Sequence, residues 1–278
     1  MVVNTNVLAL NSHRALKNVG AAQAKASARL SSGTRVNSAA DDAAGLAISE
    51  KMRAQISGLD MASKNTQDGI SLVQTAEGGM EEIGNMLKRA RELAVQAGND
   101  TNTATDRDLI EKELDDLGTE IDTMASKVQF NGMNLLDETG GTGGSFTFQV
   151  GANQNQTLTV AISSCKLSDL NAGTFVSTGN DVSTNALAGG MLDGIDTALD
   201  SLNELRAGLG AKQNRMEYTM KSLDISSENL SAAESRIRDT DMAKEMMNLT
   251  RSNVLQQAAT SMLSQANQAP QNVLSLLR

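Results

Sequence analysis

The 278-residue chain has no Trp, one Tyr, four Phe and one Pro. This excludes a broad core built on aromatic rings and suits long helices packed through Leu, Ile, Val, Met and Ala. The formal net charge of -9 is uneven: residues 1–45 carry +3 and residues 236–278 carry +2, which leaves -14 in the middle, poor material for binding nucleic acid. One Cys and one His argue against an intrachain disulfide, a His/Cys metal centre and a His-assisted nucleophile.

Near the N-terminus, Leu8, Ser12, Ala15, Val19, Ala22 and Ala26 recur at gaps of 4 and 3, the spacing of a helix-pairing seam. Small residues fill this seam, so a partner helix can approach closely. Ser31-Ser32-Gly33 ends the arm, and residues 34–45 read as an irregular spacer. Met1-Val2-Val3-Asn4 begins no basic and apolar leader, so no cleavable secretory signal is expected. No run approaches ~18 apolar residues, so no membrane span is expected.

A long helix follows, with Ile48, Met52, Ile56, Leu59, Ile70, Val73, Ala76, Met80, Ile83, Leu87, Ala90 and Ala94 on one stripe. The pair Gly78-Gly79 is its expected weak point. Thr105 with Asp108 predicts the cap of the next helix, whose stripe is Ile110, Leu114, Leu117, Ile121, Met124 and Val128. That helix is expected to run antiparallel to the long one. Met86 and Leu93 form a flanking apolar strip, which either packs under the antiparallel helix or faces another molecule.

At Phe130 the pattern changes. Asn131-Gly132 is a turn dipeptide, and the alternations Phe146-Phe148-Val150 and Leu158-Val160-Ile162 predict a hairpin. Residues 163–186 read as polar loop with one short strand near Phe175, and Cys165 as an inert side chain in a surface insert. Helical period resumes from Met191 through Ile195, Ala198, Leu202, Leu205, Leu209, Met216, Met220 and Leu223 to Ile237. Asp239-Thr240-Asp241 resets the register. The last seam is Leu255, Ala259, Met262, Ala266, Ala269, Val273 and Leu276, with Leu263, Leu274 and Leu277 beside it. Pro270 falls inside it, where a kink or restart is expected.

The predicted fold class is therefore mainly α: long antiparallel helical rods, paired terminal coiled-coil arms and a small β-hairpin insert. The expected domains are residues 1–44 with 236–278 as the terminal-arm unit, and residues 45–235 as the rod unit, including the 130–186 insert. No phosphate-binding loop is present: Gly140 to Gly144 lacks the spacing and the following helix. Acidic pairs such as Asp41-Asp42 and Asp115-Asp116 read as solvated surface. No enzyme and no cofactor are expected.

Several stretches carry a specific resemblance. Asn4-Thr-Asn-Val-Leu-Ala-Leu-Asn, Leu30-Ser-Ser-Gly-Thr-Arg-Val-Asn-Ser-Ala-Ala-Asp-Asp, Arg89-Ala-Arg-Glu-Leu-Ala-Val-Gln, Phe148-Gln-Val-Gly-Ala-Asn and Gln265-Ala-Asn-Gln-Ala-Pro-Gln-Asn-Val-Leu-Ser-Leu-Leu-Arg resemble bacterial flagellin. The likeness covers roughly residues 1–162 and 187–278. It implies a subunit that leaves the cell unfolded through the flagellar type III export apparatus with a dedicated chaperone. Outside the cell, such a subunit polymerises into the swimming filament. Filament cap and hook-associated proteins are its implied partners. The resemblance also implies a contact with Toll-like receptor 5 through Arg89, Leu93 and Glu113. The short insert implies that the large variable outer domains of many flagellins are missing. A hook–filament junction protein shares the arm-and-rod plan, but the C-terminal run favours flagellin. A chemoreceptor-like hairpin needs no β insert.

Energetics suggest why the arms exist. Ordering a residue costs ~1–2 kcal/mol of backbone entropy, so a 40-residue arm costs on the order of 40–80 kcal/mol. Two Ala-rich seams cannot offset that against each other alone. The expected assembly seam is therefore Leu8, Ala15, Val19 and Ala22 with Leu255, Ala259, Met262, Leu263, Ala266, Val273, Leu274 and Leu277. These residues would pair within the subunit and against neighbouring copies.

Overall fold

A computed structural model describes residues 6–276, with side chains described through Gln268. Five helices and four short strands follow in order: α1 Val7–Ser32, α2 Ala43–Ala97, α3 Ala104–Lys127, β1 Gln129–Phe130, β2 Met133–Asn134, β3 Ser145–Gln149, β4 Thr157–Ala161, α4 Asn185–Arg238 and α5 Met242–Leu276. The chain divides into two compact units. One comprises the chain through Gln55 together with Glu228 onward, and the other is Ile56–Ser227.

In the Ile56–Ser227 unit, α2 and α4 run antiparallel. Arg91 pairs with Asp196 (2.6 Å), Arg206 with Glu77 (3.7 Å), and Ser63 donates to Asp224 (3.1 Å). The residue numbers of each pair sum to nearly the same value, as a single antiparallel register requires. The core lies between these helices and α3. Val73, Met80, Ile83, Leu87, Leu114, Ile121, Ile195, Ala198 and Met216 are fully buried. The stripes expected for the three helices are thus their packed faces.

The expected weak point in α2 does not break. The helix is continuous across Gly78-Gly79 because packing there uses a missing side chain. A Cβ on Gly79 would stand 2.8 Å from Val128, so glycine lets the end of α3 close onto α2. Helix α3 starts two residues earlier than the expected Thr105 cap implies. Thr103 is the N-cap: its hydroxyl accepts from the Asp106 backbone, and Asp106 accepts from the Thr103 N–H at 3.0 Å. This is the same reciprocal box two residues upstream, and it holds the Asp106 carboxyl below its ordinary range.

Asn131 and Gly132 both have positive φ (51° and 77°), the geometry of a tight two-residue hairpin turn, and they join β1 to β2. The β3–β4 hairpin forms in the register Phe146↔Val160 and Phe148↔Leu158. Its Phe146, Leu158 and Val160 side chains bury into the core.

The segment between β4 and α4 corrects the polar-loop expectation. It contains no strand near Phe175, and Cys165, Leu167, Leu170, Ala172, Phe175 and Val182 are all buried. Asn180 anchors it: its amide donates to Asp115 (2.8 Å) and to the Val176 carbonyl (2.7 Å). Isolated apolar residues without a period pin an irregular strap to the α3–α4 surface. Cys165 is accordingly buried rather than on a surface insert.

In the other unit, α1 and α5 pair antiparallel. Asn6, Gln23 and Arg29 reach Ala266, Asn253 and Glu245 in turn. The connections beside them are stitched together. Thr34 bridges Asp239, and the Arg35 N–H donates to the Arg238 carbonyl at 2.6 Å. Arg53 and Arg238 pair with Glu234 and Glu50. Helix α5 continues through Pro270 without a restart. None of the described helices is long and apolar enough to cross a membrane.

Candidate self-assembly surface

The α1–α5 pair has a narrow interior made largely of small and polar side chains. On α1 the inward column is Ala9, Ser12, Leu16, Val19, Gln23, Ala26 and Leu30. On α5 it is Glu245, Leu249, Ser252, Gln256, Ala259, Leu263 and Ala266. Of these only Ala26, Glu245, Ser252 and Ala266 are buried outright. At ~25 cal/mol per Å² of apolar area, such a seam supplies far less than the core around Leu87 and Ile121.

Each helix therefore carries two apolar columns, and the structure divides the expected seam between them. Val19, Ala259, Leu263 and Ala266 face the partner helix of the same chain. Leu8, Ala15, Ala22, Leu255 and Met262 are exposed, with Leu8 at 61%, Leu255 at 45% and Met262 at 56%. The side chains of Val273 and Leu274, and all of Leu277, lie outside the described residues. The expected seam shares one heptad column with the observed one and swaps the other to the opposite flank. Leu16, Gln23, Leu249 and Gln256 were missed because a seam read from apolar residues alone skips glutamine. The seven-residue repeats Leu16–Gln23–Leu30 and Leu249–Gln256–Leu263 were the available signal.

The outward faces of α1 and α5 carry many large apolar side chains. Val7, Leu8 and Leu10 on α1, and Met242, Met246, Met247, Val254, Leu255 and Met262 on α5, are all exposed. Large apolar side chains exposed in this number are the material of an interaction surface. Basic groups border it. Lys25 holds Asp41 at 2.6 Å, which keeps that carboxyl below its ordinary range. Arg251 makes no ion pair among the described residues.

The second candidate surface lies on α2 and α3. Arg89 bonds Glu113 through two nitrogens, at 2.7 and 3.1 Å, and also reaches Glu92 at 3.4 Å. These carboxylates raise the guanidinium's proton affinity. Both Arg89 and Glu113 are exposed, but Leu93 is 2% exposed and sits in the core. Met86 is half-buried against the same core. The flanking strip is thus part of the core or packed against it, rather than a free surface.

Among the described residues no three His, Cys, Asp or Glu side chains are grouped to hold a metal. His13 is exposed on α1. Burial, and then the charge of Asp169, push the Cys165 thiol up to about 12.

Comparison with known proteins agrees with this layout. Residues 3–140 match the bacterial flagellin N-terminal helical region, and residues 192–277 match the bacterial flagellin C-terminal helical region. The chain is 50% identical to a flagellin of Halalkalibacterium halodurans and 46% identical to a flagellin of Bacillus subtilis, with the whole of each chain covered. It is 44% identical, over its full length, to a flagellar filament 33 kDa core protein of Treponema phagedenis. Among solved structures, Bacillus cereus flagellin superposes with a TM-score of 0.51 at 34% identity, covering 62% of this chain and 94% of that one. A putative flagellar hook-associated protein of Vibrio parahaemolyticus superposes at 0.62 over 72% of this chain and all of that one. At 14% identity it shares the fold only.

Proposed function

The chain belongs to the bacterial flagellin family and is a structural subunit of a flagellar filament, and we propose that α1 and α5 are the elements through which it polymerises. The exposed apolar face on these two helices carries the reading. Each helix spends one column on its intrachain partner and keeps another, including Leu8, Leu255 and Met262, for neighbouring copies. A face used head-to-tail rather than symmetrically builds an open helical polymer.

Export as an unfolded chain through the type III apparatus fits the same surface. The small-residue α1–α5 seam offsets little of the entropy of ordering two arms. The arms therefore order fully when neighbours cover their outer faces. A dedicated export chaperone would cover the α5 face beforehand, and the filament cap and hook-associated proteins would meet the arms at the two filament ends. The assembled polymer lies outside the cell.

Recognition by Toll-like receptor 5 would use the Arg89–Glu113 patch. Arg89 and Glu113 supply exposed charge for a contact. Leu93 supplies the packing that fixes the α2 backbone beneath them.

Electron microscopy of the purified full chain at raised salt tests the central claim. Long helical filaments are expected, and a chain that stays monomeric overturns it. Hydrogen exchange tests the ordering step: arm amides strongly protected in the monomer would contradict folding on assembly.

A further inference from the structure

Helix α5 meets solvent largely through sulfur. Met242, Met246, Met247 and Met262 are 49%, 51%, 67% and 56% exposed, and Val254 and Leu255 are the other large apolar side chains exposed on this helix. Methionine adapts to irregular partners because it is unbranched, but it also brings a thioether that leucine lacks. The methionines of the core are the opposite case: Met80, Met191 and Met216 are at most 1% exposed.

The helix itself holds these sulfurs outward. Met242 and Met246 lie four residues apart on one face. Met247 stands between the seam residues Glu245 and Ser252, which are buried, and is the most exposed of the four. No aromatic ring of the α1–α5 unit can cover them, because Phe130, Phe146, Phe148, Phe175 and Tyr218 all fall within residues 56–227.

The chain's one thiol does not compete for an oxidant. Cys165 is fully buried, and burial, then the charge of Asp169, push it up to about 12, whereas the thiolate is the reactive form. Accessible sulfur in this chain is therefore thioether sulfur. Met61 and Met133 are exposed as well, at 53% and 38%, but belong to the Ile56–Ser227 unit.

We propose that Met242, Met246, Met247 and Met262 are an oxidation site on the assembly helix, where hydrogen peroxide converts the thioethers to sulfoxides and stops the subunit from polymerising. A sulfur lone pair attacks one peroxide oxygen, an S–O bond forms and the O–O bond breaks. The proton of the transferred hydroxyl passes to the departing hydroxide, which leaves as water. Sulfur is oxidised by two electrons and the peroxide is reduced by two. The product is polar, and covering it with a neighbour that offers no donor costs about ten-fold or more in affinity per site. Thiol-dependent reductases, one for each sulfoxide epimer, return the thioether. The inference rests on the polymer reading above and adds to it a reversible chemical state in which the subunit cannot join.

Peroxide treatment of the purified, unassembled full chain tests it. Oxygen uptake at each methionine is mapped by peptide mass spectrometry, and filament yield at raised salt is then read by sedimentation. The four α5 methionines should gain oxygen before Met80, Met191 and Met216. Yield should fall by at least about ten-fold, and treatment with both sulfoxide reductases should restore it. Preformed filaments given the same peroxide should gain far less oxygen at the four positions. Normal yield from subunits oxidised at all four overturns the proposal, as does equal uptake by the core methionines or by the four positions in filaments.

A variant combining Met242→Leu, Met246→Leu, Met247→Leu and Met262→Leu keeps the apolar face and retains Met61 and Met133. It should assemble equally well before and after peroxide. A loss matching that of the parental chain would place the damage elsewhere and overturn the site. Should this variant not assemble untreated, the parental chain decides alone: no recovery after the reductases overturns the proposal. An untreated parental chain that forms no filaments removes the polymer reading itself, whereas normal filaments from oxidised subunits remove only this inference.

Discussion

The side chain of Asn6 joins the two ends of the described chain: its amide donates to the Ala266 carbonyl at 2.8 Å, while its Oδ1 accepts from the Ala9 N–H at 3.0 Å. One residue thus caps α1 and ties it to α5. The two are 260 positions apart, so this bond closes a loop that spans nearly the whole chain.

Replacing Asn6 by Ala should cost α1 about 1 kcal/mol through the lost cap. Amides in the first turn of α1 should then exchange faster in assembled filaments. The exchange rates in α3 should not change.

Met262→Asp puts a charge on the outer face of α5 and should abolish pelletable filaments in sedimentation. Because Met262 is exposed in the single chain, thermal unfolding of the Ile56–Ser227 unit should be unaffected. Normal filaments would remove the outer column from the assembly surface.

Gly118 and Gly78 should respond to alanine in opposite directions. A Cβ at Gly118 would lie 2.5 Å from the Val176 carbonyl oxygen and 3.0 Å from Ser177 Cα, both backbone atoms. Gly118→Ala should therefore destabilise the unit by about 1–3 kcal/mol. Gly78 has nothing within 4 Å, so Gly78→Ala should stabilise α2 by up to ~1 kcal/mol. Thermal melts of the two variants decide both.

Cys165 makes stability depend on alkaline pH. Its thiol titrates at about 12 when folded against an ordinary value of 9.0. Between those values the unfolded chain releases the proton and the folded chain retains it. The contribution is therefore complete below pH ~9 and is lost as pH rises toward the folded value. Cys165→Ala should flatten that slope in denaturant titrations between pH 9 and 11. At pH 8 the native thiol should resist alkylation, and the unfolded one should react.

Arg91 and Asp196 meet at 2.6 Å, but both side chains are about half exposed. Arg91→Ala should therefore cost less than about 1 kcal/mol. It should leave the α2–α4 register intact, because the apolar column from Val73 to Ala94 sets that register.

The long stripes on α2, α3 and α4 were legible in the sequence because a wide core demands apolar residues at every inward turn, and polar replacements there are costly. The Phe146/Val160 hairpin and the Asn131-Gly132 turn were legible for the same kind of local reason: strand alternation and positive φ each leave a residue signature. The flagellin motifs, too, are read directly from the chain.

Tertiary structure decided what had no period or two equal periods. The strap through Cys165 and Phe175 is held by single anchors such as Asn180, which no repeat announces. Leu93 looks like an outer flank by helical spacing, yet it is buried in the core. On α1 and α5, two heptad columns of similar apolarity compete, and spacing alone cannot rank them. The intrachain seam took the column containing Gln23 and Gln256, where side chains can still reach solvent or a polar partner such as Asn253. Leu8, Leu255 and Met262 were left facing outward.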